Sequence, residues 1–139
     1  MSSQPRLTPH HRITVVGSGE RGSASIQMVL LAPALFSVMF LGMQGALFYH
    51  ARTVAIAAAQ EGARAAAAEN GTDSAGAQDA YSFVAAAGGE GVILGAQVSG
   101  ARTATTATVT VTGHAMSVIP GWSPAVTQSA SVPVERITR

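Results

Sequence analysis

The chain has 139 residues, of which 47% are hydrophobic and 11% charged, and a formal net charge of +1. That leaves room for one small domain beside any membrane segment, and so sparse and balanced a charge excludes a surface built for nucleic acid or for an acidic partner. Lysine and cysteine are both absent, which removes disulfides and thiolate metal sites.

Residues 1–21 form a polar arm with Pro5, Pro9, Arg6, Arg12 and Arg21 against a single acid, Glu20. It has little apolar surface to bury and is expected to be disordered. Its arginines lie within the distance over which basic residues set membrane topology, so the arm is expected to stay in the cytoplasm. Gly17, Gly19 and Gly22 match G-x-G-x-x-G after Ile13–Val16. The acidic residue that the dinucleotide fingerprint needs about 20 residues later is missing, because no Asp or Glu falls between Glu20 and Glu61. Nucleotide binding is not expected.

From Gly22 to Tyr49 there is no charged residue; Arg21 precedes the run and Arg52 follows it. A helix rises ~1.5 Å per residue and crosses the hydrocarbon of a bilayer with roughly 20 apolar residues. Residues 26–49 suffice, and in lipid a single span must be helical to satisfy its own backbone. A cleaved signal peptide has a shorter apolar core followed by small residues, whereas Leu47, Phe48 and Tyr49 are bulky. Within the span, Pro33 removes one backbone donor, and Gly42 and Ala46 form a small-xxx-small pair that lets helices approach closely. Gln27 and Gln44 are polar groups in apolar surroundings and suggest hydrogen bonds to other helices, although Gln27 also suits the headgroup level.

Strong helix formers continue the same helix as far as Asn70. Val54, Ala55, Ala58, Ala59, Gly62, Ala65 and Ala66 share a face opposite Arg52, Gln60 and Arg64, and Glu61 and Arg64 are spaced to pair. Asn70-Gly71 suggests a left-handed stop.

Arg21-Gly22, the small run Ser23-Ala24-Ser25, an apolar span with Pro33, Tyr49-x-Ala51-Arg52 and Ala59-Gln60-Glu61-Gly62-Ala63-Arg64 together resemble the TadE-like proteins. These are minor pilins, or pseudopilins, of the tight-adherence (Flp) pilus system. The resemblance covers about Glu20 to Arg64, with a weaker echo at the C-terminus. It implies a basic leader inside, a prepilin peptidase that cuts after Gly22, and Ser23 as the new N-terminus. The family pattern places a glutamate at the fifth mature residue, thought to neutralise the N-terminal amine of a neighbouring subunit; here that residue is Gln27. The partners implied are membrane lipid, other pilin-like subunits, the pilus assembly machinery and the prepilin peptidase.

Beyond Gly71, Thr72-Asp73-Ser74 is a helix start, and Ala77, Ala80, Tyr81 and Val84 fall on one face of a short helix that Gly88-Gly89 closes. From Val92 the period becomes two. Val92, Leu94, Ala96 and Val98 form one row, Ala107, Val109 and Val111 a second, and Val126, Ala130, Val132 and Val134 a third. Three such runs predict a small antiparallel sheet with one wet face. Ser99-Gly100 is read as its first turn, and Pro133 puts the last strand at an edge. The apolar connection Met116–Trp122 either folds back over the core or forms a contact patch for a partner or the headgroup layer.

His10, His11, His50 and His114 are scattered, so no metal site or nucleophile–base set can be assembled. No catalytic, cofactor-binding or metal residue is therefore expected. The fold class is α+β: a long N-terminal transmembrane helix continuing outside the membrane, a short second helix and about three antiparallel strands. The expected layout is a cytoplasmic basic leader over 1–22, open to cleavage, a long helix over 23–70 and a small extracytoplasmic head over 71–139. The leading function is a pilin-like structural or assembly subunit, with Gly22 and Ser23 for processing and Gln27, Pro33, Gly42 and Ala46 for packing and assembly. The alternative is an unprocessed single-pass membrane protein whose head binds a surface partner.

Overall fold

The computed structural model describes residues 19–135. The arm over 1–18, with His10 and His11, lies outside them. Helix α1 runs Gly19–Ala67, α2 Asp73–Ala86, β1 Ile93–Arg102, β2 Thr106–Ala115 and β3 Ala125–Pro133, with a 3-10 turn Gly89–Gly91 between α2 and β1. The chain divides into two compact units, residues 1–36 and 37–139. The described part of the first is helix α1 alone, with Pro33 inside it.

In the second unit, α1 turns an alanine face to the rest of the domain. Ala51, Ala55, Ala58, Ala59, Ala63 and Ala66 are fully buried, with Val54 and Gly62 among them. Arg52, Gln60 and Arg64 are exposed on the other side, where Arg64 pairs with Glu61 at 3.1 Å. The pair is solvated on both sides and adds little stability. Ala65, expected on the inner face, is only partly covered; Ala51, Ala63 and Ala67 are buried with the face instead.

Against this face lie α2 and a three-stranded antiparallel sheet of order β1-β2-β3. Val109 stands opposite Ala130 and Ala107 opposite Val132. Ala107, Val109 and Val111 are fully buried, which bears out the period-two reading of β2. The outer face is a hydroxyl ladder: Thr108 and Ser131 share a hydrogen bond of 2.8 Å, and Thr110 donates to Ser129 at 3.0 Å. Such cross-strand pairs stabilise a wet face without apolar burial. Pro133 ends β3, an edge strand, as expected.

Four local readings need correction. Ser99-Gly100 is not a turn; β1 continues to Arg102 and the reversal falls at 103–105. Gly100 is glycine because the backbone of Asp73 passes against it, so that a Cβ would collide with the Asp73 carbonyl oxygen. The alternation of β1 is interrupted by a bulge, with Gly95 at φ +60° and the register shifted between Leu94 and Gln97. The extra residue turns Ile93 into the core, fully buried, while Ala96 and Val98 still pack on it. In α2 the buried row is Gly76, Ala80 and Val84; Tyr81 is exposed. Thr72 caps this helix as expected, its hydroxyl accepting from the Ala75 amide at 3.0 Å.

The fourth correction concerns the end of α1. The helix stops at Ala67, and neither Asn70 nor Gly71 adopts a left-handed backbone. The last carbonyls are met from elsewhere in the fold. The Arg102 guanidinium donates to the carbonyls of Ala66 and Ala68, the latter at 2.8 Å, and the Glu135 amide donates to Ala67 at 3.1 Å. A cation at a helix C-terminus also opposes the negative end of the helix dipole.

Helices α1 and α2 meet at Gly62 and Gly76. A methyl group on either would run into the carbonyl oxygen of the other, and one on Gly62 would also stand 2.8 Å from the Ala80 Cβ. Gly62→Ala gains up to about 1 kcal/mol of helix propensity, but overpacking against a backbone that cannot rotate away costs about 1–3 kcal/mol. Thermal melts of the detergent-solubilised chain are expected to show Gly62→Ala melting below the parent. Gly42→Ala, where an added Cβ meets nothing within 4 Å, is expected to melt no lower than the parent.

Candidate functional site

Two features stand apart from ordinary core packing. The first is the apolar part of α1. The helix holds a segment long and apolar enough to cross a membrane, with a mean hydropathy of 2.0 and none of it buried. Leu30 is 70% exposed, and Ile26, Val29, Leu31, Leu35 and Phe36 are similarly bare. In the second unit the same pattern continues through Val38, Met39, Phe40, Leu41 and Met43. Side chains this apolar on every side of a helix suit a hydrocarbon surround.

The second feature is Gln44. It is 2% exposed and the only buried polar side chain among the described residues. Its carbonyl oxygen accepts from the Ser117 hydroxyl at 2.9 Å and the Val118 amide at 3.0 Å, and its amide nitrogen donates to the Met116 carbonyl at 3.3 Å. The Ser117 hydroxyl also lies 3.0 Å from the Ile119 carbonyl, its one proton shared between the two acceptors, and accepts from the Ile119 amide. The carboxamide therefore fastens the β2–β3 loop to α1. The expectation that Gln44 bonds to other helices is corrected: its partners are in its own chain, more than 70 residues away. No sequence pattern joins residues so far apart; the visible signal was an isolated amide in an uncharged run and an unusually apolar loop. Beside the latch, Leu41, Gln44, Gly45, Phe48, Trp122 and Pro124 line a shallow groove of about 290 Å³.

The other residues singled out from sequence are strung along α1 and do not converge. Gly22 and Ser23 are helical. Gln27 and Pro33 are exposed. Gly42 and Ala46 are exposed too, and among the described residues nothing outside its own stretch of helix would lie within 4 Å of a methyl group at Gly42. Among the described residues no group of three or more His, Asp or Glu side chains could hold a metal ion. His50 and His114 are each exposed.

Residues 22–64 match the family model for TadE-like protein. Over this segment the chain is similar to the TadE-like proteins. No curated protein and no solved structure matches it. The TadE-like segment comprises the apolar stretch of α1 and most of its alanine face, and it stops one turn before the helix ends. Helix α2 and the sheet that cover that face lie beyond it.

Removing the Gln44 carboxamide strands the Val118 amide and frees the loop. Gln44→Ala is expected to cost about 1–3 kcal/mol, the usual penalty for an unmet buried group. Amide hydrogen exchange at Val118 and Ile119 is expected to quicken, while exchange at Val109 and Val111 stays slow. Gln44→Glu keeps the acceptor, so protection at Val118 is expected to recover in part. Unchanged exchange at Val118 in Gln44→Ala would count against the latch.

Proposed function

We propose that the chain is a pilin-like structural or assembly subunit of a tight-adherence, Flp-type pilus, and not an enzyme. One membrane helix anchors it, with the N-terminus inside and the sheet-bearing head outside. The observation that carries this reading is the match of residues 22–64 to the TadE-like family on a helix whose first half is apolar all round. In this reading a prepilin peptidase cuts between Gly22 and Ser23. The mature helix then meets other pilin-like subunits and the assembly machinery, with Gln27, Pro33, Gly42 and Ala46 among the contacts. Support for this is the exposure of all four residues and the open space beside Gly42. Close helix approach in a membrane relies on such small residues.

A second reading is favoured by one residue. Gln27 carries no charge where the family pattern has a glutamate. It can accept a hydrogen bond from a neighbour's N-terminal ammonium but cannot neutralise it, and an ammonium in a low dielectric is costly without a counter-charge. On that ground the protein is an unprocessed single-pass anchor whose head binds a surface partner.

N-terminal sequencing of membrane-extracted protein separates the two. A mature chain beginning at Ser23, lost in Gly22→Arg, is the expected result, together with recovery of the protein in sheared surface fibres. An intact Met1 in the wild type and absence from the fibres would overturn the pilin reading in favour of the static anchor.

A further inference from the structure

We propose that the β2–β3 loop, residues 116–124, is a membrane seat: it places Trp122 in the outer interfacial layer of the bilayer and holds the head against the lipid. The proposal rests on the reading that α1 is embedded in a membrane, and adds to it a second contact made by the head itself.

Position along α1 carries the argument. The core of the head begins at Ala51, whereas the loop is fastened at Gln44, two turns earlier. At ~1.5 Å per residue, that brings the loop about 10 Å down the helix from the first core residue. The helix there is already apolar on its open sides, with Met39, Phe40, Leu41 and Met43 exposed just before Gln44. The first charge after them is Arg52. Counting roughly 20 residues of hydrocarbon from Ser25 ends at Gln44. The loop thus lies alongside the stretch of helix where hydrocarbon gives way to headgroups.

Its chemistry fits that level. Residues 116–124 contain no charged side chain. Trp122 is 50% exposed and lines the groove together with Phe48, and Met116 also reaches solvent. Tryptophan and tyrosine concentrate at membrane interfaces because an apolar ring and a polar edge are satisfied there together. The polar groups of the loop's inner side are already met by Gln44 and Ser117, which lowers the cost of bringing this backbone near hydrocarbon. The groove between the loop and α1 is continuous with the bare apolar surface of the helix, so lipid that surrounds the one reaches the other.

Trp122 is the only tryptophan in the chain, so its fluorescence reports the seat directly. The full chain is reconstituted into phosphatidylcholine vesicles carrying bromine at a shallow or a deep acyl position. Flotation establishes insertion, and iodide is then added from the aqueous side. The expected result is flotation, a blue-shifted emission, loss of most of the signal to shallow bromines with less lost to deep ones, and protection from iodide. In Gln44→Ala, the protein still floats but bromine quenching falls and iodide quenching rises. Flotation with emission quenched by iodide and not by bromolipid overturns the seat while leaving the anchor intact. Emission protected from both quenchers also overturns it and assigns the groove to a protein partner or a second copy. Failure to float removes the anchor and the seat together.

Discussion

Ala51, Ala55, Ala58, Ala59, Ala63 and Ala66 have no exposed surface, yet each offers only one methyl group to what lies against it. Dispersion falls off steeply with distance, so a face made of alanine holds a domain only if the opposing layer comes almost into backbone contact. That constraint explains the positions of several glycines. Gly62 and Gly76 let the two helices touch, Gly100 lets β1 pass the start of α2, and Gly113 leaves space for the Ile93 side chain. The larger residues that complete the core, Ile93, Val84, Val109 and Val111, all come from the layers opposite α1. The helix supplies a flat wall and the rest of the fold supplies the bulk.

A thin core of this kind has little surplus burial, and polar bonds close it at both ends of the buried part of α1. At one end the Gln44 carboxamide reaches out to the β2–β3 loop; at the other the Arg102 guanidinium and the Glu135 amide reach in to the last carbonyls of the helix. Both closures satisfy backbone groups, those of the loop at one end and the carbonyls of Ala66 and Ala67 at the other, and a stranded buried group costs more than a satisfied one contributes. Their direction differs for a reason. A helix C-terminus presents carbonyls and a partial negative charge, so a cation is suited to it. The middle of a helix has its backbone paired internally and can bond outward only through a side chain.

The elements and their order were legible because each has a strong period or punctuation mark. The uncharged run of α1, the Thr72 cap and the Thr-Val alternation of β2 are signals local to a few residues, and the structure agrees with them. What was not legible is what depends on the layer opposite. Gly100 has the composition of a turn and serves as a clearance. Asn70-Gly71 has the composition of a left-handed cap, but Arg102 ends the helix from 34 or more residues away. Tyr81 lies at the margin of a helical face whose centre is set by which row contains the smallest residue, Gly76. For the same reason the sequence marks Gln44 as a polar group needing a partner, while Ser117 and Val118 lie more than 70 residues away with no local pattern to join them.

The two glutamines of α1 show how far one chain can satisfy its own helix. Gln44 uses its carbonyl oxygen and its amide nitrogen within the fold and is buried. Gln27 is exposed, in a stretch where the neighbouring side chains are Ile26, Met28, Val29 and Leu30. In a bilayer a carboxamide at that position has a cost unless something bonds to it. Headgroups can supply that bond only if the residue lies at the membrane surface; deeper than that, the donor or acceptor has to come from another helix. A neighbouring subunit that satisfied Gln27 would also cover the exposed side of the apolar helix. The helix would then be complete in an assembly in the way that its alanine half is already complete within the chain.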